Sequence, residues 1–216
     1  GIRAPLWSRG LGDVYKRQYR LHRVRRVLPE LQMDNHLKEI RIDSTLAYDG
    51  YFLKVQRDTV RLPNGQPTTR EYIKHPGAVV VLPLFDDGTV LMERQFRYPI
   101  DRVFIEFPAG KIDPGEEPLA CAKRELLEET GYTATDWQFV CTIHNAIAYA
   151  DEHLDLYLAR GLTAGERKLD DEEFLDIFTL AADELPGLIR EGKITDVKTV
   201  IGAFWLEKII SGEWKL

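Results

Sequence analysis

The stretch Gly110–Tyr132, GKIDPGEEPLACAKRELLEETGY, constrains this chain more than any other. It reads as a glycine-bearing turn that runs into a short acidic helix. Pro118 suits the first helical turn and Gly131 suits the helix end. Glu125, Glu128 and Glu129 lie three and four residues apart, so they share one helix face. Carboxylates held that close raise one another's pKa and weaken the helix unless positive charge sits among them. A divalent cation is the usual remedy. The competing reading of a lone acidic run of this kind is a solvated helix face.

The full spacing decides between them. Gly110 is followed after five residues by Glu116. Seven residues on come Arg124-Glu125-Leu126, then Glu128-Glu129, then Gly131-Tyr132. This resembles the Nudix box position by position. From average residue usage, a chance match at a given start is roughly one in 10^8 or rarer. The resemblance implies an α/β fold, an α/β/α sandwich around a mixed sheet. It also implies a hydrolase that uses Mg²⁺, with Mn²⁺ as an alternative, on a diphosphate linked to another moiety. Carried onto this chain, the metal ligands are Glu125, Glu129, Glu128 and the Ala109 carbonyl. Arg124 orients the box glutamates, and Glu116 plays a similar role.

The chain has 216 residues and is 44% hydrophobic, enough for one core and a small extension. Its formal charge is −6, unevenly spread. The first 29 residues carry eight Lys/Arg and one Asp. The rest therefore holds 21 of the 29 basic and 34 of the 35 acidic residues, a net −13. An acidic body argues against nucleic-acid binding. The two cysteines, Cys121 and Cys141, have no zinc-like spacing and read as small core residues in a reducing compartment. No apolar run reaches 18 residues, so no membrane span is expected, and a cytoplasmic protein is.

Residues 1–36 read as a basic arm. Within it, residues 1–18 lack periodicity and end in GDVYKRQ, which resembles translated sequencing-adapter read-through. We expect that segment to be non-native, with a targeting peptide as the other reading. Residues 37–75 read as a small antiparallel sheet: Leu37–Leu46, Tyr51–Leu62 and Thr68–His75, with a turn at Pro63-Asn64-Gly65-Gln66. Too small to stand alone, it should pack on the main domain or on a second subunit. Residues 76–216 form the expected Nudix domain. Its strands are Gly77–Leu84, Val90–Phe96, Val103–Phe107, Trp137–Ile143, Leu154–Leu158 and Leu175–Leu180. Helices are expected at Ala182–Glu191 and Asp196–Ile210. The second should turn Val197, Val200, Ile201, Phe204 and Ile209 to one side.

Three segments resemble the ADP-ribose pyrophosphatase branch: Arg70-Glu71 in REYIKHPGAVVVLP, Gln95-Phe96-Arg97-Tyr98, and Glu106–Ile112. That branch implies a homodimer and a nucleotide-sugar substrate. Arg97 is the candidate for gripping a phosphate, since guanidinium donors match phosphate oxygens. Arg70 and Glu71 are candidates for adenosine or ribose, with surface ion pairs as the competing explanation. Glu106 is a less certain member, and Tyr51 or Phe52 could stack on adenine. The general base is sought on the acidic run Leu169–Phe174, with Glu173 first, then Glu172 and Asp171. The branch often has a proline about sixteen residues past the box. Here Asn145–His153 has none, although its Asp151-Glu152-His153 tail keeps Glu152 as a site candidate. The missing proline raises GDP-mannose or another nucleotide sugar as the alternative. A non-catalytic binding module is the distant one, because such modules often lose box glutamates. The five histidines show no ligand spacing and read as surface or hydrogen-bonded residues.

Overall fold

The computed structural model describes residues 34–167, 169 and 174–216. The expected basic arm up to residue 33, and Asp170, Asp171, Glu172 and Glu173, lie outside the described residues. The described residues divide into two compact units, one holding 34–43 with 59–68 and the other holding those of 44–58 with 69–216.

Strands β1 (Ile40–Asp49), β2 (Lys54–Arg61) and β3 (Pro67–Lys74) form one sheet in the order β1-β2-β3. Gly65 makes the β2–β3 turn with φ 86, a backbone only glycine adopts freely, and donates to the Leu62 carbonyl. In the larger unit, the buried Asp58 carboxylate ties the three strands. It accepts from Ser44 Oγ at 2.6 Å and from the Tyr72 hydroxyl at 3.2 Å. Ile73 bridges in parallel to Ala150, and the His75 amide donates to Asp151 at 2.7 Å.

Strand β4 (Ala78–Pro83) is buried at every position, which is why it reads as an unbroken apolar run. It lies in a mixed sheet of order β7-β4-β10-β9, with β7 at Ala109–Lys111, β9 at Asp136–Ile143 and β10 at Leu154–Arg160. Strands β10 and β4 run parallel, and the other pairs are antiparallel. A second, antiparallel sheet has the order β12-β5-β6, with β5 at Thr89–Arg97, β6 at Arg102–Glu106 and β12 at Leu175–Ala181. The two-residue strands β8 (Tyr132–Thr133) and β11 (Thr163–Ala164) pair separately.

One face of β4, Val79 and Val81, packs with Ile112, Cys121, Ala122, Leu126 and Ala159. Three of these belong to helix α1 (Pro118–Thr130). The other face, Val80 and Leu82, shares a core with Met92, Phe107, Leu156, Ala203 and Leu206. The last two come from helix α3 (Val197–Ile210). Helix, sheet and helix layers follow, as expected for the α/β/α sandwich.

Two helical expectations hold in part. Ala182–Glu191 is a 3-10 turn at Ala182–Glu184 followed by helix α2 (Leu185–Arg190). Pro186 falls in its first turn, where a missing N–H costs least. Helix α3 buries Lys198, Thr199, Gly202, Ala203 and Leu206, with Val200, Ile201 and Ile209 half-buried against the same core as expected, while Val197 and Phe204 are 46% exposed. Close approach sets that face. A Cβ on Gly202 would lie 2.6 Å from Leu82 Cδ2 and 3.1 Å from Phe107 Cε2. Small residues therefore take the point of closest approach, and the larger apolar ones pack to either side of it.

Candidate active site

Helix α1 begins at Pro118, with Glu117 extended before it and making no side-chain cap. It ends at Gly131, φ 75, whose N–H donates to the Leu127 carbonyl. On its buried face Glu125 is 8% and Glu129 is 3% exposed. Both meet the turn leading out of β6. The Ala109 amide donates to Glu129 Oε2 at 3.0 Å. The Glu125 carboxylate lies against the Gly110 Cα, where an added Cβ would stand 1.8 Å from its Cδ. Gly110 is thus a cradle shaped by the absence of a side chain.

The positive charge that three crowded carboxylates require is supplied in part by Arg124. Its Nε and Nη2 donate to the two oxygens of Glu116 at 2.9 and 2.8 Å. Its Nη1 donates to Glu125 at 2.8 Å and to Glu128 at 2.9 Å. The Arg124 bonds hold the Glu116 carboxyl down to about 2. Glu116 also accepts from the Asp113 amide at 3.1 Å, which closes the turn before the helix. Cys121, buried beneath Arg124, has its thiol pushed up to about 12 by burial.

Among the described residues no three His, Cys, Asp or Glu side chains already stand together as a cation cage. Arg124 draws Glu128 and Glu125, and the Ala109 amide draws Glu129. The donor set still fits a hard divalent cation. It offers two buried carboxylates, a third a turn away and a carbonyl on the same turn, with the Gly110 cradle leaving Glu125 its place.

A cavity of about 430 Å³ opens beside this turn. Arg97, Glu106, Ala109 and Glu152 line it, so it gathers four of the expected site residues. Arg97 meets Glu106 side-on, Nε to Oε1 at 2.7 Å and Nη2 to Oε2 at 2.8 Å. Burial would push the Glu106 carboxyl up, but the Arg97 bonds and the Lys198 charge outweigh it, and the net shift is downward. Asn145 donates to Glu152 Oε2 at 3.3 Å. His75 Nε2 lies 3.7 Å from Glu152 Oε1, and His75 Nδ1 accepts from the Gly77 amide.

Arg70 and Glu71 do not join them. Glu71 is exposed and takes Arg57 Nε at 2.7 Å, and Arg70 donates to the Thr69 carbonyl. Neither lines the cavity. Tyr51 is fully exposed and outside it, whereas Phe52 lines it with Lys111 Nζ 5.5 Å from its ring centroid. Sequence reasoning missed Lys198, Asp196, His75 and Asn145 as lining residues. A usable signal for Lys198 was its place one helical turn before Gly202 on the small-residue side of α3.

Comparison with known proteins adds the following. A family model described as "NUDIX domain" matches residues 74–200. A second, "Nucleoside diphosphate sugar hydrolase N-terminal domain", matches residues 39–73. The chain is 38% identical over 177 residues to a methanol dehydrogenase activator of Bacillus methanolicus, covering 81% of this chain and 96% of that protein. It is 37% identical over 173 residues to an ADP-ribose pyrophosphatase of Bacillus subtilis, covering 79% and 94%. A solved structure titled as an ADP compounds hydrolase superposes with a TM-score of 0.74 at 21% identity, covering 83% and 97%. At that identity the last is a likeness of fold.

Proposed function

The chain belongs to the Nudix hydrolase family, and on that premise we propose that it hydrolyses the diphosphate of ADP-ribose to AMP and ribose 5-phosphate. The observation that carries this reading is the meeting of the buried Glu125–Glu129 pair with the Arg97-lined cavity at one turn, Ala109-Gly110. Names of relatives at 37–39% identity, ADP-ribose pyrophosphatases of Bacillus subtilis and Mycobacterium tuberculosis, support the choice of sugar nucleotide.

Glu125, Glu129, Glu128 and the Ala109 carbonyl would hold Mg²⁺, or Mn²⁺. Bound there, the ion supplies charge neutralisation and a lowered water pKa. The side chains do the rest. Arg97 turns its unused guanidinium edge to a phosphate oxygen, because Glu106 takes the other edge. Arg124 fixes the carboxylates of Glu125 and Glu128. Water forms the new P–O bond, the bridging P–O bond breaks, and the leaving phosphate keeps the electron pair. The water's proton passes to a carboxylate of the 170–173 run, which we assign to Glu173 ahead of Glu172 and Asp171. Glu152, paired with Asn145, accepts a hydroxyl of the sugar.

A panel of NDP-linked compounds with Mg²⁺, with and without chelator, tests the reading. ADP-ribose should be turned over fastest, to AMP, and only with metal. Faster turnover of GDP-mannose would move the assignment to another nucleotide sugar. No turnover of any member would reject it. We also infer a cytoplasmic homodimer built on residues 37–75. Ile40, Ile42, Leu46 and Tyr48 alternate along one side of β1 and are 49–59% exposed, on an edge strand. Light scattering should give twice the chain mass, and a monomer at working concentration would refute it. Among the described residues no helix is long and apolar enough to cross a membrane.

A further inference from the structure

Lysine is rarely buried unless paired, yet Lys198 is 7% exposed, at the second position of helix α3. Its ammonium donates to Glu106 Oε2 and, at 3.0 Å, to Asp196 Oδ2. Glu106 is itself 2% exposed and is the carboxylate that Arg97 grips side-on. One buried carboxylate is therefore shared by a buried ammonium and a guanidinium whose side chain is 40% exposed. Arg97 has five N–H groups, of which one on Nε and one on Nη2 go to Glu106. The Nη1 edge stays available in the cavity.

An arginine side chain loses much rotamer freedom when it is fixed. A single exposed ion pair fixes it poorly, because the two partners can swing together. Here the carboxylate has a second anchor on another element. That anchor is itself tied down. Asp196 Oδ2 also accepts from the Thr199 amide at 3.0 Å and from Thr199 Oγ1 at 2.6 Å. Thr199 Oγ1 in turn accepts from the Phe107 amide at 3.2 Å. The N-terminus of α3 thus holds both Glu106 and Phe107, the two residues that lead into Pro108-Ala109-Gly110.

We propose that Lys198 is a positioning residue that holds Arg97, through Glu106, in the orientation that binds a phosphate oxygen of a nucleoside diphosphate. This rests on reading the cavity as a nucleoside-diphosphate site. The rival role is purely structural: Lys198 neutralises a buried carboxylate and Arg97 gains nothing from it.

A double-mutant cycle read on ADP affinity separates the two. ADP binding is measured by calorimetry with Mg²⁺ present on wild type, K198M, R97A and the double variant, with thermal melts alongside. R97A should weaken ADP at least about tenfold, the scale of a charge-assisted hydrogen bond. K198M should weaken it about tenfold in the wild-type background and by less than about twofold once Arg97 is gone. Equal losses in both backgrounds, an unchanged K198M affinity, or no ADP binding by wild type would overturn the proposal. Should K198M not fold, E106Q reads the same link from the carboxylate. It should reproduce the R97A loss, and wild-type affinity in E106Q would overturn the proposal. The readout needs no turnover. An inert substrate panel therefore defeats the hydrolase reading alone, and a multiplicative cycle defeats only this inference.

Discussion

Replacing Gly110 by alanine asks whether the Glu125 carboxylate stands where the chemistry needs it. A Cβ at Gly110 would lie 1.8 Å from Glu125 Cδ and 1.9 and 2.3 Å from its oxygens. An unstrained contact is about 3.5 Å, so the carboxylate must retreat by roughly 1.5 Å. Gly110 is not among the positive-φ glycines, so alanine carries no dihedral cost there. The obstacle is the tip of a side chain that can rotate. Losing the Arg124–Glu125 bond costs about 1 kcal/mol. Restricting the unfolded chain returns about 0.4–1 kcal/mol. The net change in stability should therefore stay within about 1 kcal/mol, or about 4 °C in Tm at this size. Activity should respond quite differently. Misplacing a reacting group by about 1 Å costs about a hundredfold, and here the displaced group is also a proposed metal ligand. The assay is kcat for ADP-ribose, followed by AMP release, with a melt and a metal titration on the same preparation. G110A should lose at least about a hundredfold in kcat and need more metal. A variant within about threefold of wild type at an unchanged metal requirement would show that the cradle has no catalytic meaning.

Two further outcomes follow from the same cluster. E129Q keeps an acceptor for the Ala109 amide but removes a buried negative charge, so it should fold and lose at least about a hundredfold in kcat; near-wild-type turnover in saturating Mg²⁺ would reject the metal assignment. Arg124 holds Glu116 at about 2, below its ordinary 4.5. A depressed carboxyl contributes stability that is fully present above pH 4.5 and is lost as pH falls toward 2. Urea unfolding of wild type should therefore weaken across that window. R124M should show a shallower pH slope there, and an equal slope would disconnect Glu116 from Arg124.

The box was legible because its full spacing resembles the Nudix box, while helix geometry by itself gave only the shared face of its glutamates. Glu125 and Glu129 must share a face, and Gly110 must make room. β4 was legible because burial on two faces leaves only one composition. Arg97 and Glu106 were legible as types but not as a pair: the antiparallel register sets Glu106 opposite Glu93 and Arg97 opposite Arg102, so the two meet only because their long side chains reach along one shared face of the sheet. Lys198 was opaque for a reason general to lysine. Its charge reads as solvated, and its burial depends on Glu106 and Asp196 accepting it. The face of α3 was read in part: Val200, Ile201 and Ile209 pack against the core as expected, but apolarity was counted and closeness was not. Gly202 and Ala203 pack where Val197 and Phe204 were expected. Arg70 and Glu71 lie on β3, away from the cavity lining, with an ion pair at Glu71 to Arg57, the competing explanation for that residue.

The charge layout explains why such a site would depend on a cation for more than activating water. The body of the chain is acidic, and its proposed substrate carries a diphosphate. Arg97 and Lys198 face the cavity, but Glu106 and Asp196 face them in return. Glu93, fully buried and in register with Glu106, adds a further attraction on Arg97. Lys111 contributes one more cation, on an exposed side chain that salt would screen. The wall is therefore a set of oriented donors with little net charge. It can select the geometry of a phosphate without neutralising it. On the other side of the Ala109-Gly110 turn, Glu125, Glu128 and Glu129 outnumber Arg124 among the carboxylates of the helix. Positive charge brought to those carboxylates would sit one turn from the oriented donors, and a diphosphate spanning the turn would meet both. ADP affinity should then fall steeply on chelation and only mildly with added monovalent salt. The reverse pattern would mean that exposed lysines, rather than the box, supply the attraction.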